Sequence, residues 1–207
     1  MDSKAPVEKR WVRQLARLET LMDVVYGLII WRLFQLLPRP MEDDTRSVLE
    51  VFADDPRAAL TVIIGILIVI VYWMQSNLLF GHLERTDTRH TILSILQLFC
   101  LLLFLYAIAV GTTYEAATDL RVFESVTALL VGVPSYLAWR HAKRKANLVS
   151  PSLSKAEADA VSVQILAEPI TAALTIPFAF FAPLLWELVW FSFPLVSWVL
   201  RKRQDKL

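Results

Sequence analysis

Long apolar stretches constrain the fold of this 207-residue chain most strongly. A helix that crosses the hydrocarbon core of a bilayer needs roughly 20 consecutive residues that are mostly apolar. The composition is of the membrane type, since 56% of the residues are hydrophobic and the mean hydropathy is +0.50. Five or six stretches meet the length requirement, at about 17–37, 58–80, 91–111, 120–139, 163–182 and 184–200. The last two are separated only by Pro183, which predicts a tight helical hairpin. The sequence therefore predicts an all-α membrane protein with six transmembrane helices.

The remainder of the chain is predicted to be short polar segments around one membrane domain. Residues 1–16 form an N-terminal segment that lacks the apolar core of a cleavable signal peptide. Residues 17–201 form the six-helix domain, and 202–207 a short tail. In the longest connection, Asp44 or Thr45 is expected to cap a short helix. In the later polar linker, Ser154 and Glu157 have the spacing of a capping box.

The distribution of Lys and Arg predicts the orientation of the chain. With six spans, sixteen Lys and Arg residues fall on the side of both termini and only four fall on the other side, Arg39, Arg46, Arg57 and Arg121. Positive residues accumulate in cytoplasmic loops. Both termini are therefore expected in the cytoplasm, and a five-span arrangement, which would split the positive segments, is disfavoured.

The first span contains charges that a lipid-facing helix would not tolerate. A charged side chain near the centre of a span costs roughly 2.5–3.5 kcal/mol on insertion scales, so it normally faces protein or water. At 100° per residue, several residues of this span lie in one stripe along the helix. Asp23 lies on the opposite face, toward neighbouring helices. The stripe consists of Arg17, Leu21, Val24, Leu28 and Gln35, with Trp31 and Arg32 on either side. Such a stripe fits a pore lining or a contact between symmetry mates, and it also fits ordinary helix packing.

At these residues the chain resembles the endosomal and lysosomal potassium channel family named for transmembrane protein 175. The family's first helix carries an arginine, three residues and then Phe-Ser-Asp, and here the same spacing reads Arg17, Leu21, Met22 and Asp23. The resemblance continues in "VYWMQSNLLFGHLERTDTRHTILSILQLFCLLLFLYA", in "YLAWRHAKRK" and in "EPITAALTIPFAFFAPLLWELVWFSFPL". The matching positions in the first and last of these segments are Trp73, Phe80, Asp87, Arg89, Pro177 and Pro183, whereas Ser76 and Asn77 stand where histidines are usual.

The resemblance implies a symmetric tetramer whose first helices line a central axis and whose constriction is a hydrophobic gate. Carried over by position, the lining residues would be Leu28, Trp31 and Gln35, with Arg32 beside them. The implied function is conduction of potassium or another monovalent cation. The implied partners are those ions, the lipid bilayer and further copies of the chain, with no nucleic acid. The location is an integral, multi-pass membrane protein, in the inner membrane if the source is bacterial.

The side chain of Arg32 leaves three functions open. If four copies of Arg32 face the axis, they oppose cations electrostatically and favour anion passage. If Arg32 pairs instead with acids at 42–44, with Glu124 or with Glu187, the pore stays neutral and Gln35 can offer an oxygen to an ion. The remodelled stripe also fits a non-conducting membrane interaction protein on the same fold.

A second set of polar residues is predicted to hold the first helix near the cytoplasmic mouth. Arg17 and Asp23 are six positions apart, too far round the helix to pair with each other. Each is therefore expected to bond neighbouring helices. The expected network comprises Arg17, Asp23, Trp73, Asn77, Asp87 and Arg89.

Other chemistry has little support in the sequence. No phosphate-binding glycine loop, nucleophile elbow or paired carboxylate is present, so no enzymatic activity and no cofactor are expected. Cys100 is the single cysteine, and the three histidines lack metal-ligand spacing, so no metal site is expected. Glu168, followed by Pro169, is expected to serve at a helix start.

Overall fold

The computed structural model describes residues 5–40, 45–112, 117–145 and 148–204 of the chain. These residues are organised almost entirely as helices, and an isolated bridge pairs Leu83 with Val149. The described helices are α1 Ala5–Phe34, α2 Val48–Asp54, α3 Pro56–Gly81, α4 Thr88–Gly111, α5 Thr118–Arg144, α6 Lys155–Ile165, α7 Ala167–Phe178, α8 Pro183–Trp190 and α9 Phe193–Gln204.

Within the described residues, four helical segments are long and apolar enough to cross a membrane. They are Pro56–Gly81, Thr88–Gly111, Thr118–Arg144 and Lys155–Phe178, the last made of α6 and α7. Together α8 and α9 would make a fifth crossing, bent by 44° at the break between them. The all-α membrane architecture is thus confirmed, while six spans stay a prediction that depends on α1.

Helix α1 differs from these segments because charged residues lie within its apolar half. Its 30 residues correspond to about 45 Å, longer than the hydrocarbon core. However, Glu19, Asp23 and Arg32 interrupt its apolar half. The helix begins well before the predicted span and ends at Phe34 rather than at residue 37. Pro38 explains the early end, because the residue before a proline disfavours the helical conformation.

The predicted hairpin at Pro183 is wrong in its details. Residues 179–182 separate α7 from α8, and Pro183 is the first residue of α8, where its missing N–H costs nothing. The second apolar stretch is broken at residues 191 and 192. Pro194 accounts for this break, because it cannot donate to the carbonyl of Trp190 and its ring would collide with that group.

Both predicted capping motifs can be compared with the structure. Ser154 and Glu157 form the expected reciprocal capping box at the start of α6. The short helix in the long connection is also present as α2, but its cap is Ser47, paired with Glu50, rather than Thr45. Asp44, the other predicted cap, lies outside the described residues. The pairing of Ser47 with a glutamate three residues later satisfies two otherwise unpaired N–H groups, which Thr45 could not do at its spacing.

Close packing between α5 and α7 fixes the second half of the domain. A Cβ atom at Gly132 would lie 2.8 Å from the Cβ and Cδ atoms of Pro169. The rigid proline ring cannot move away, so only glycine permits this approach. α5 also packs along α4, and α1 packs on α3 and α4. The core therefore runs continuously from the back of α1 to α7.

Candidate functional site

The two faces of α1 have opposite environments. One face is buried against α3 and α4 and carries Leu18, Met22, Tyr26, Ile29 and Leu33. These positions recur at intervals of three or four residues, which is the spacing of one side of an α-helix. The subunit core therefore holds α1 by an apolar stripe.

The other face of α1 is apolar but uncovered in the subunit. Leu28 is 61% exposed and Trp31 is 60% exposed, and Leu21 and Val24 continue the same stripe. Phe34 is also exposed, and its ring stacks on Trp31 with centroids 6.3 Å apart. We call Leu21, Val24, Leu28 and Trp31 the exposed α1 stripe. The structure thus places two of the predicted lining residues, Leu28 and Trp31, together on one accessible surface.

Arg32 and Gln35 meet at the end of this stripe. Arg32 is exposed, and its Nη1 donates to Gln35 Oε1 at 3.2 Å. Gln35 lies in the turn after the helix, is half-buried, and accepts a second hydrogen bond at its backbone carbonyl from Arg39. Two guanidinium groups therefore converge on one neutral residue.

The predicted pairing of Arg32 with Glu187 is not what the structure shows. Glu187 is buried and accepts from Arg57 Nε at 3.1 Å, linking α8 to α3. A close cationic partner stabilises a buried carboxylate, and Arg57 at the start of α3 supplies it here. The acids at 42–44 lie outside the described residues.

Only part of the predicted inner network comes together around α1. Trp73 Nε1 on α3 donates to Asp23 Oδ1 at 2.9 Å, so Asp23 does face a neighbouring helix as predicted. Arg17 and Asn77 are exposed. Arg17 also borders a surface depression with Arg10, Arg13 and Gln14.

Asp87 belongs to a different cluster, between the start of α4 and the end of α5. It accepts from the backbone N–H of His90 at 2.8 Å, contacts His141 Nε2 at 2.9 Å and accepts from Lys145 Nζ at 3.1 Å. Burial by itself would raise the pKa of Asp87, but these partners outweigh it and lower the pKa to about 2. Asp87 therefore ties α4 to α5 as a carboxylate, while Arg89 is exposed beside it. In the described part of the chain, no group of three or more His, Cys, Asp or Glu side chains is placed to hold a metal ion.

A buried polar cluster behind α1 was not predicted. Gln97 Nε2 on α4 donates to Tyr26 Oη at 2.9 Å and to Ser76 Oγ at 3.3 Å, and Tyr26 and Ser76 are 3.2 Å apart. The three side chains join α1, α3 and α4 through one set of hydrogen bonds. The sequence does place one polar residue within each of three apolar runs. Because buried polar groups need hydrogen-bond partners, this pattern could have predicted the cluster.

Comparison with known proteins places this geometry in context. A model of the family "Endosomal/lysosomal potassium channel TMEM175" matches residues 17–104. That interval contains most of α1, all of α3 and most of α4. The predicted family resemblance is confirmed. None of the curated proteins compared with this chain matches it.

Two solved structures share the fold of nearly the whole chain. A TMEM175 homologue from Chamaesiphon Minutus, described as a lysosomal potassium-selective channel, is 17% identical with a TM-score of 0.71, over 93% of this chain and 99% of that one. A variant of the potassium channel MtTMEM175, solved with a nanobody–MBP fusion, is also 17% identical, with a TM-score of 0.63 over 92% and 94% of the two chains. The TMEM175 fold therefore extends beyond the part of the sequence that the family model matches.

The contact between Asp23 and Trp73 predicts a measurable coupling between α1 and α3. Trp73→Phe keeps the aromatic packing but removes the indole N–H that donates to Asp23. We expect the free energy of unfolding to fall by about 1 kcal/mol. This is less than for a buried charged acceptor, because both residues are partly exposed. In a double-mutant cycle, the same change on an Asp23→Ala background should cost nothing further. Thermal unfolding in detergent measures both.

Trp198→Phe, at an exposed tryptophan on α9, is the matched control: it keeps an aromatic face for Lys202, whose Nζ lies 4.7 Å from the ring centroid, and should change stability by no more than a few tenths of a kcal/mol. Equal costs of Trp73→Phe with and without Asp23 would show that the hydrogen bond contributes nothing.

Proposed function

We propose that this chain is the subunit of a homotetrameric ion channel that conducts potassium or another monovalent cation. Support comes from the TMEM175 match over residues 17–104 and from a fold shared with two potassium channels. The matched family and both structures are described as channels, and channels are not enzymes. We accordingly assign no enzymatic activity to the chain.

The observation that carries the proposal is the exposed α1 stripe. Leu28 and Trp31 are large apolar side chains, yet the subunit leaves both more than half exposed. The same helix carries Asp23 and Arg32, whose charges exclude it from a wholly lipid-facing position. Four copies around an axis would cover the stripe and give the charged residues protein or water as neighbours.

The proposed topology counts α1 as the sixth span. Lining a central path removes the requirement that α1 be apolar all round, which explains why its composition differs from that of α3, α4 and α5. With six spans, the excess of Lys and Arg near the termini favours a cytoplasmic location for both.

The proposed constriction is formed by Leu28 and Trp31. Rings of large apolar side chains can close a narrow pore by excluding water from it, without a filter of carbonyl groups. Stacking of Trp31 on Phe34 favours a defined position for the indole within each subunit. Asp23 and Trp73 would hold the helix that carries this ring, with Arg17 and Asn77 near the same end.

Anion conduction is the second candidate, and the surroundings of Arg32 favour it. The hydrogen-bond partner of Arg32 is the neutral Gln35, which also accepts from Arg39. Since Gln35 Oε1 is already engaged by a cation, it is a poor ligand for a potassium ion. Positive charge at this end of the stripe would attract anions and oppose cations.

Trp31→Ala tests the proposed gate. If the Trp31 ring obstructs a cation path, its removal should raise potassium flux severalfold while changing the potassium-to-sodium ratio little. Flux is measured in liposomes that contain the purified protein, under separate potassium, sodium and chloride gradients, with empty liposomes as the blank. Phe180→Ala, at an exposed aromatic residue outside α1, is the matched control and should behave as the unmodified protein. Silence toward all three ions in the unmodified and Trp31→Ala proteins would contradict the channel proposal and favour a membrane interaction protein.

Arg32→Gln separates the two conduction hypotheses. In a cation channel, removal of the charge should increase potassium flux, because four repelling groups are lost. In an anion channel, the same change should abolish chloride flux. The same liposome gradients measure both outcomes, and Arg57→Gln is unsuitable as a control because Arg57 stabilises buried Glu187.

A further inference from the structure

A cavity of about 250 Å³ lies between α3, α7 and the break that joins α8 to α9. It is separate from the exposed α1 stripe, since none of the described residues that line it belongs to α1. Its described lining is Ile64, Leu67, Ile68, Val71, Tyr72, Glu168, Thr171, Trp190, Phe191, Phe193 and Pro194. We call it the Glu168 cavity, after the acidic member of this set.

Glu168 is an exception within this apolar wall. The residue is only 6% exposed, and both carboxyl oxygens are buried without a hydrogen-bond partner in the described part of the chain. Glu168 does lie in the first turn of α7, as expected, but it does not cap the helix, because α7 has no side-chain capping bond. A buried polar group without partners costs free energy of folding. A ligand that donates to the carboxyl group of Glu168 would remove this cost.

Packing holds Glu168 at the cavity wall. The next residue, Pro169, fits against α5 only because Gly132 has no side chain. This close contact fixes the backbone that carries the carboxyl group. The carboxyl therefore cannot readily turn toward solvent by a shift of α7.

Neighbouring polar groups are already engaged with backbone carbonyls. Tyr72 donates to Ala128 O at 2.7 Å, and Thr171 donates to Ala167 O at 2.8 Å. Gln75 is the polar neighbour of Glu168 and interacts with its carboxyl group, more loosely than a hydrogen bond within 3.5 Å, while its Nε2 also donates to Gln164 O at 3.5 Å. Tyr72 and Thr171 are thus directed elsewhere, and of these side chains only Gln75 interacts with the carboxyl group of Glu168.

Aromatic rings complete the wall on the side of the helix break. Trp190 is buried with its ring edge-on to Trp186, at a centroid distance of 6.2 Å, while Phe191 and Phe193 follow it along the chain. Pro194 causes the break that brings these rings to the cavity. Aromatic faces attract organic cations, and the attraction is strongest for tryptophan.

We propose that the Glu168 cavity binds a primary ammonium compound with a compact apolar body. The ammonium would donate to the carboxyl oxygens of Glu168, and the body would fill the space between the aliphatic side chains of α3 and the aromatic rings. A small inorganic cation fits less well, because it requires a shell of several oxygen ligands and this wall is mostly hydrocarbon. The carboxyl group of Glu168, which would ionise on pairing with the ammonium, and the aromatic rings together select a cation that is itself partly apolar.

The test compares two probes of nearly equal shape, 1-adamantanamine and 1-adamantanol. Thermal unfolding of the full-length protein in detergent is measured with each, because a ligand that binds the folded state raises the unfolding midpoint. We expect the amine to raise the midpoint in a saturable manner and the alcohol to leave it nearly unchanged. Equal shifts with both probes would overturn the proposal, since they would show an apolar cavity without a cation site.

Glu168→Gln identifies the group responsible. This change keeps the volume of the side chain but removes the group that can ionise and pair with the ammonium, and we expect amine affinity to fall by roughly tenfold or more in equilibrium dialysis. Glu84→Gln, at an exposed loop position, is the matched control and should bind as the unmodified protein does. Unchanged affinity in Glu168→Gln would overturn the assignment.

Leu67→Trp provides a second variant in case Glu168→Gln does not fold. Leu67 lines the cavity and is about half exposed, so a larger side chain can be accommodated at the rim. We expect this variant to unfold cooperatively but to lose the amine-induced shift. A full shift in Leu67→Trp would contradict the location of the site. These readouts do not require ion flux, so their failure would leave the channel proposal untouched.

Discussion

Hydrogen bonds between α1 and its neighbours hold the helix on which the rest of the structure depends. Tyr26 shares a buried cluster with Ser76 and Gln97, and Asp23 accepts from Trp73. The cluster at Tyr26 fixes the rotation of α1 about its own axis, because Tyr26 lies on the face that packs on the subunit core, and the bond between Trp73 and exposed Asp23 adds a contact nearer the surface. The exposed α1 stripe must consequently point away from the subunit. The charged residues on this helix, Asp23 and Arg32, favour protein or water rather than lipid beside the faces that carry them.

The sequence was sufficient to predict the helices whose apolar residues are continuous. The ends of α3, α4 and the start of α5 lie within a few residues of the predicted spans, because the transfer of apolar side chains into the bilayer dominates these segments. It was insufficient where backbone chemistry competes with hydropathy. Pro194 breaks the final stretch into α8 and α9, and Pro38 ends α1 early, although neither position interrupts the apolar run strongly.

For the candidate site, residues on one helix were easier to predict than pairings between helices. Leu28 and Trp31 share an exposed surface because helical periodicity alone places them there. Asp23 was correctly directed toward a neighbour. The partner of Arg32 could not be predicted, because the predicted partner Glu187 forms its ion pair with Arg57, which lies in a distant segment of the sequence. The same limit explains the missed cluster of Tyr26, Ser76 and Gln97, whose members lie 21 to 71 positions apart.

Crosslinking at Leu28 tests most directly whether α1 lies at a symmetry axis. Leu28→Cys is introduced into a chain whose single cysteine is removed by Cys100→Ser, and the protein in liposomes is treated with a short bis-maleimide. Leu195→Cys on α9 has the same exposed fraction, 61%, and serves as the control for random collisions. The account predicts covalent dimers in high yield from Leu28→Cys and few from Leu195→Cys. Equal yields, or none at Leu28, would contradict a central position for the exposed α1 stripe.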